Sequence, residues 1–180
     1  AFGRVSRGCL DKIASIQKPT IAAVFGFVLG GALELALACD LRISTPDAKV
    51  GYPEINLGII PGSGGTQRMP RLIGIGKAKE LLFSGDSVSG EEALRIGLVN
   101  KVAPKENLLA EAKAWAQKLA AKPRVAMTLL KHAIDHGMDM DLSSALTFET
   151  DCFVQAYVSE DGREGFQAFI EKRKPDFKGR

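Results

Sequence analysis

A glycine pair, Gly30–Gly31, separates an apolar, β-branched run from a run rich in alanine and leucine. Residues 20–27 are apolar at odd and even positions alike, which predicts a strand buried on both faces. Residues 32–39 have the composition of a buried helix. Glycines at such a turn often serve only close packing, but they also let a ligand approach bare backbone N–H groups at the positive end of the helix dipole. The pair therefore predicts a site for an anion or a developing oxyanion.

Two glutamates accompany the glycine pair. Glu34 stands in the first turn of the predicted helix among leucines and alanines, so it has no obvious solvated face. Glu54 follows 54 − 34 = 20 residues later, in an apolar loop. Each has a simpler explanation, Glu34 as a partner of the helix dipole and Glu54 as an ion-pair partner of Arg42. Two carboxylates beside backbone donors nevertheless suggest acid–base chemistry on a carbonyl compound.

The remaining pattern is short strands followed by helices. Strands are predicted at 41–44 and 49–51. Ser89 and Glu92 have the spacing of a capping box at the start of a helix. Further helices are predicted at 1–17, 64–72, 77–83, 91–96, 105–121, 123–136, 141–157 and 162–174.

The order of these elements predicts an α/β fold with a helical appendage. A chain of 180 residues is long enough for a sizeable core. We divide it into residues 1–104, which hold the strands and short helices, and residues 105–180, a helical C-terminal region. No internal repeat or low-complexity linker interrupts either part.

Charge and composition argue against several classes of protein. The net charge is +3, and the last ten residues carry five basic and two acidic groups, so 5 − 2 = +3 lies in the tail and the rest is neutral. We therefore expect no nucleic-acid surface. No apolar run reaches the length of a membrane span, so no membrane insertion is expected. The three cysteines are widely spaced, which favours reduced thiols over disulfides or a zinc site.

Two further motifs are not assigned a ligand. Residues 62–66 are glycine-rich, but neither the dinucleotide-binding pattern nor the phosphate-loop pattern is complete there, so a helix start with structural glycines is the better interpretation. His132 and His136 have a spacing that could chelate a metal from one helix face. No third ligand accompanies them, and we predict no metal site.

Three runs of the chain, at 18–43, 50–74 and 160–179, resemble the crotonase superfamily, and its enoyl-CoA hydratase branch most closely. The resemblance covers nearly the whole chain. It implies a crotonase-like fold, here the C-terminal part of a ββα spiral with a helical C-terminal trimerisation region. It also implies an acyl-CoA thioester substrate and stabilisation of an enolate.

The resemblance assigns roles to the residues already singled out. It implies that Glu34 and Glu54 are catalytic, and that Gly31, next to Gly30, donates its backbone N–H to the thioester oxygen. Isomerases of the superfamily generally use the position of Glu54 alone, so the presence of both glutamates favours hydration of a 2-enoyl-CoA to a 3-hydroxyacyl-CoA, a lyase reaction of fatty-acid β-oxidation. Isomerisation and branched-chain hydration remain alternatives. A non-catalytic trimerising or RNA-binding member of the fold is an alternative of a different class.

The same resemblance places Phe153, Phe169 and Lys172 beside the adenine and phosphates of coenzyme A, although core packing and a solvated lysine also explain them. It implies no separate cofactor, because coenzyme A is part of the substrate, and a homotrimer or dimer of trimers. We expect a cytoplasmic enzyme in a bacterium or a mitochondrial matrix enzyme in a eukaryote. The chain lacks a counterpart of the family's N-terminal portion, which holds the second oxyanion donor, so we expect a truncated protein that is inactive alone.

Overall fold

The computed structural model describes residues 2–180, with side chains from residue 7 onwards. It divides into two compact units, of which the first comprises residues up to 16 and residues 20–114. The second comprises residues 17–19 and 115–180. Within the described residues, no helix is long and apolar enough to cross a membrane.

The first unit repeats a strand–strand–helix order, in which each turn of chain gives one strand to each of two sheets. Six strands are present among the described residues: β1 Ile21–Val24, β2 Phe27–Leu29, β3 Leu41–Ser44, β4 Lys49–Gly51, β5 Ser87–Ser89 and β6 Lys101–Val102. One sheet has the order β1-β3-β6 and the other β2-β4-β5. The first two turns pair in parallel, Ile21 opposite Leu41 in one sheet and Phe27 opposite Lys49 in the other. In the third turn β6 continues the parallel pairing with β3, whereas β5 pairs with β4 antiparallel. This arrangement confirms the predicted ββα spiral.

The predicted single strand over residues 20–27 is wrong, because the chain breaks within it. Gly26 has φ +64, a left-handed conformation that glycine adopts without steric cost. The break ends β1 at Val24 and sends β2, from Phe27, into the other sheet. Composition alone does not locate the break, since the residues on both sides are apolar.

The helices of the first unit lie close to their predicted positions. They are α1 Phe2–Ala14, α2 Gly31–Ala38, α3 Gly65–Ile73, α4 Ile75–Ser84, α5 Gly90–Arg95 and the beginning of α6 Leu108–Ala120, with a 3₁₀ helix at Pro53–Leu57. The serine half of the predicted capping box is confirmed, because the Ser89 side chain accepts a hydrogen bond from the Glu92 N–H at 3.1 Å. The Glu92 carboxylate instead accepts hydrogen bonds from Arg95. The 3₁₀ helix replaces the loop predicted around Glu54, and the Pro53 that begins it is suited to a first helical position.

The core of the first unit forms between α2, β4 and the helices α3 and α4. Its most buried large side chains include Leu33, Ile43, Tyr52 and Met69, each almost fully removed from water. The charged side chain of Arg42 is also buried in this unit, and its guanidinium donates to the carbonyls of Leu98, Cys39 and Ala36.

The second unit is helical. Its helices are α7 Arg124–Gly137, α8 Leu142–Val158 and α9 Glu160–Glu171, together with the end of α6. The side chains of Asp141 and Ser159 cap α8 and α9, each accepting a hydrogen bond from a backbone N–H of the first turn. Asp161, which is buried, accepts from the backbone N–H groups of Lys178 and Gly179 and so holds the C-terminal tail against α9.

Candidate active site

The glycine pair lies where β2 ends and α2 begins, as predicted. Gly30 caps the helix with φ +55, and its N–H donates to the Gly51 carbonyl at 3.1 Å. The first intrahelical bond runs from the Glu34 N–H to the Gly30 carbonyl at 3.0 Å. Because the helix begins at Gly31, no helical carbonyl precedes it by one turn to accept its N–H, and Gly31 is exposed. The position meets the two conditions of the oxyanion hypothesis, a strand end and an available donor.

Glu34 lies on the buried side of α2, with 4 % of its surface exposed. Its Oε1 accepts hydrogen bonds from two backbone N–H groups, those of Ser63 at 2.6 Å and Gly65 at 3.0 Å. The simpler explanation, a solvated glutamate at the helix start, is excluded by this burial. The two donors fix the carboxylate in one orientation as a hydrogen-bond acceptor.

The glycine-rich run at residues 62–66 thus binds an anion, but the anion is a side chain of the same protein. Ser63 and Gly65 were not predicted as part of the site. Only glycine fits at position 65, because a Cβ built there would come within 2.7 Å of the Tyr52 ring. One feature of the sequence could have indicated them: Glu34 lies in an apolar helix without a cationic partner. A buried carboxylate needs hydrogen-bond donors, so backbone N–H groups had to supply them.

Glu54 lies in the first turn of the 3₁₀ helix and faces the glycine pair. A Cβ built on Gly30 would lie 2.9 Å from Glu54 Oε1, so the carboxylate reaches the bare backbone at the start of α2. Its Oε2 is buried and has no hydrogen-bond partner in the described part of the chain. Burial raises the pKa of Glu54, its own backbone N–H lowers it by less, and the nearby Glu34 carboxylate adds a still smaller contribution that raises it.

The structure does not contain the ion pair between Glu54 and Arg42 that was the simpler explanation of Glu54. The Arg42 guanidinium is buried and bonded to backbone carbonyls. Burial also lowers the pKa of Arg42, with smaller opposing contributions from Cys39 and Asp40. Arg42 therefore connects parts of the core, and Glu54 keeps its carboxylate for the site.

The structure brings four predicted residues together: Gly30, Gly31, Glu34 and Glu54. Their convergence follows from the contact of Glu54 with Gly30 and from the electrostatic effect of Glu34 on Glu54. The three residues assigned to coenzyme A lie in the second unit, on α8 and at the end of α9. The rings of Phe153 and Phe169 are exposed, at 61 % and 81 %, so simple core packing does not explain them.

The first unit also has an apolar cleft of about 650 Å³, which none of the predicted site residues lines. It is bounded by the 3₁₀ helix, α3 and α4, through residues such as Ile55, Pro61, Pro70 and Phe83. This cleft is therefore separate from the carboxylate pair.

Comparison with known proteins agrees with this geometry. The family description "Enoyl-CoA hydratase/isomerase" matches residues 5–180. Among curated proteins, a crotonyl-CoA hydratase of Syntrophomonas wolfei is 48% identical over 176 residues, which cover 98% of this chain and 68% of that protein. A short-chain-enoyl-CoA hydratase of Clostridium acetobutylicum is 46% identical over 180 residues, covering 99% of this chain and 69% of that one.

The solved structures give the same result for the fold. The crystal structure of an enoyl-CoA hydratase from Bacillus anthracis superposes with a TM-score of 0.95 at 43% sequence identity. The match covers 99% of this chain and 69% of the other. The likeness therefore extends over both units.

Proposed function

The chain belongs to the enoyl-CoA hydratase/isomerase family, and on that premise we propose that the complete protein hydrates 2-enoyl-CoA thioesters to 3-hydroxyacyl-CoA. The observation that carries the proposal is the convergence of Glu34 and Glu54 beside the exposed Gly31 N–H. A hydration needs one group to take a proton from water and another to supply a proton to carbon. The site holds two carboxylates in different surroundings, which is the arrangement that such a division requires.

In the proposed reaction Glu34 is the base and Glu54 the acid. Glu34 is fixed as an acceptor by two backbone donors, and it takes a proton from the attacking water. The pKa of Glu54 is raised by burial and by Glu34, which favours the protonated acid. The water oxygen bonds to the β-carbon, and the Glu54 proton passes to the α-carbon, so the double bond is consumed and no further cofactor is required.

The charge that forms on the thioester oxygen is assigned to the Gly31 N–H. This donor is fixed by the start of α2 and lies at the positive end of the helix dipole. A preorganised donor of this kind typically contributes about 10²–10³ in rate.

The test is the loss of the conjugated thioester absorbance when the complete protein is mixed with crotonyl-CoA. We expect Glu34→Gln and Glu54→Gln each to lower kcat by about 10²-fold or more, the scale of general acid–base catalysis, with KM little changed. Glu80→Gln is the matched control, because Glu80 is an exposed glutamate on α4 that pairs with Lys77. Unchanged turnover in both site variants would overturn the assignment.

Isomerisation is distinguished by the same variants. An isomerase that uses Glu54 alone would keep its turnover of a 3-enoyl-CoA in the Glu34→Gln variant. The hydratase proposal predicts that the Glu34→Gln variant loses turnover. Turnover of a 3-enoyl-CoA that is retained in this variant would favour the isomerase alternative.

We also propose that the protein forms a homotrimer or a dimer of trimers, and that Phe153, Phe169 and Lys172 contact coenzyme A. The helices α7 to α9 support an assembly, since they expose large apolar side chains such as Leu130, Ile134, Leu142 and Ile170. Sedimentation velocity of the complete protein tests the assembly, and a monomer at micromolar concentration would contradict it. For coenzyme A, Lys172→Ala should raise KM and leave kcat unchanged.

A further inference from the structure

One buried polar group of the first unit has no role in the reaction described above. Tyr52 is 0 % exposed, and its hydroxyl has no hydrogen-bond partner among the described residues. Buried hydroxyl groups in native proteins are nearly always hydrogen-bonded, directly or through water. The phenol of Tyr52 therefore calls for a partner.

The position of the ring shows where that partner lies. A Cβ built on Gly65 would come within 2.7 Å of Tyr52 Cζ, the carbon that carries the hydroxyl. The N–H of the same Gly65 donates to Glu34 Oε1 at 3.0 Å. The phenol thus ends beside the backbone that holds Glu34, and the chain continues from Tyr52 through Pro53 directly to Glu54.

A second unpartnered atom lies in the same segment. Glu54 Oε2 is buried and without a hydrogen-bond partner in the part of the chain described. The two groups are complementary, because a phenol donates and a carboxylate accepts. Burial, then the charges of Glu34 and Glu54, raise the pKa of Tyr52, so the phenol keeps its proton and remains a donor.

We propose that Tyr52 is a positioning residue for the carboxylate pair: its hydroxyl donates to one ordered water that in turn donates to Glu54 Oε2. This bridge satisfies both buried atoms and holds the Glu54 carboxyl in the orientation that presents Oε1 to the glycine pair. The inference rests on the proposed function for its effect on turnover, but the hydrogen bond itself is independent of the reaction.

The variant that tests it is Tyr52→Phe in the complete protein, which removes one oxygen and keeps the ring. Thr45→Val is the matched control, because the Thr45 hydroxyl is also buried without a hydrogen-bond partner among the described residues, and valine has the same shape. We expect Tyr52→Phe to lower kcat about threefold to tenfold, as for loss of a water-mediated bond to an ionisable group, with KM within about twofold. Thr45→Val should change neither.

The pH dependence separates positioning from a merely structural role. A donor to the ionised carboxylate lowers its pKa, so losing that donor raises it. Because Glu54 acts as the protonated acid, its ionisation sets the alkaline limb of the kcat profile, and this limb should move to higher pH in Tyr52→Phe by about half a pH unit or more. An unmoved limb with unchanged kcat, or an equal shift in Thr45→Val, would overturn the proposal.

A titration without substrate separates this proposal from the proposed function. The Glu54 side-chain carboxyl, observed by ¹³C NMR in the complete protein, should titrate at a higher pH in Tyr52→Phe than in the wild type. This shift would support the bridge even if crotonyl-CoA is not turned over, in which case only the hydratase assignment fails. Equal midpoints in the two proteins would overturn the bridge whatever the activity.

Discussion

Two carboxylates of the second unit, Asp161 and Glu164, and Glu54 of the first unit differ in how their oxygens are bonded. In the second unit, both oxygens of Asp161 accept backbone N–H groups of the C-terminal tail, and Glu164 binds the Arg173 guanidinium through two hydrogen bonds. In the first unit, Glu54 Oε2 is buried without a hydrogen-bond partner among the described residues, and Oε1 of the same carboxylate approaches the backbone of Gly30. Asp161 and Glu164 have their hydrogen bonds filled by protein donors, whereas Glu54 has one oxygen that no described protein group satisfies.

The pKa shifts follow this difference. The Arg173 guanidinium, followed by the Asp176 N–H, lowers the pKa of Glu164 to about 2. Burial and the charge of Glu34 raise the pKa of Glu54. A carboxylate that stabilises a fold is held ionised, whereas one that serves proton transfer has its ionised form disfavoured. This contrast distinguishes the candidate site from an ordinary buried acid.

The comparison predicts that removing an unused donor affects activity and leaves stability intact. Gly31→Pro removes the N–H at a first helical position, where proline is tolerated. We expect kcat of the complete protein to fall about 10²–10³-fold, with the melting temperature little changed. Gly31→Ala is the control, because a Cβ there meets nothing within 4 Å and the N–H is retained. If alanine were as harmful as proline, the oxyanion role of the N–H would be wrong.

The converse prediction concerns a carboxylate whose bonds are filled. Asp161→Asn replaces one acceptor oxygen by an NH₂ group that faces a backbone N–H, so a buried donor loses its partner. The expected loss of unfolding free energy is about 1–3 kcal/mol, measured by urea denaturation. Faster hydrogen exchange of the Lys178 and Gly179 amides should accompany it. Asp151→Asn, at an exposed position of α8, should change neither.

The smallest expected effect is a difference in how stability depends on pH. Because its folded pKa is raised, Glu54 contributes stability below its unfolded pKa and loses that contribution as pH rises through the folded pKa. Glu54→Gln should therefore gain stability over the wild type between about pH 4 and 7, by about half a kcal/mol after allowance for solvent screening.

Glu164 should behave in the opposite way. Its pKa is lowered, so its contribution is present above the unfolded value and is lost as pH falls toward about 2. Glu164→Gln should be less stable than the wild type at pH 7 and equal to it near pH 2. Thermal melts of both variants across this pH range measure how the difference in stability from the wild type changes with pH. If this difference changed in the same direction for both variants, the contrast between Glu54 and Glu164 would be wrong.

Local signals in the sequence predicted much of the fold. The strands at 41–44 and 49–51 and the start of α2 lie where apolar pattern and glycine placed them. These elements are decided by residues a few positions apart. The strands β5 and β6 were missed, because they are only two or three residues long and exist through pairing with distant strands.

The sequence predicted the residues proposed to act on the substrate, but not the residues that hold them in place. Gly31, Glu34 and Glu54 carry recognisable chemistry, and the structure places them together. Ser63 and Gly65 reach Glu34 across 29 and 31 positions of sequence, and no local pattern reports such a pairing. Tyr52 was missed for a related reason, since its hydroxyl becomes significant only when burial shows that it has no partner. The roles of Phe153, Phe169 and Lys172 stay predictions.

The buried Arg42 also sets an order of events during synthesis of the chain. Its guanidinium bonds to the Leu98 carbonyl, 56 positions later, and its N–H to the Asn100 side chain, 58 positions later. Every residue that surrounds the carboxylate pair is translated before Leu98, yet β3 cannot bury its cation until that segment has emerged from the ribosome. A nascent chain that stops at residue 90 should therefore hold Gly31, Glu34 and Glu54, the proposed catalytic residues, without a completed core, accessible to chaperones and proteases. The site is therefore expected to fold only when the chain between Arg42 and Leu98 has closed into a loop.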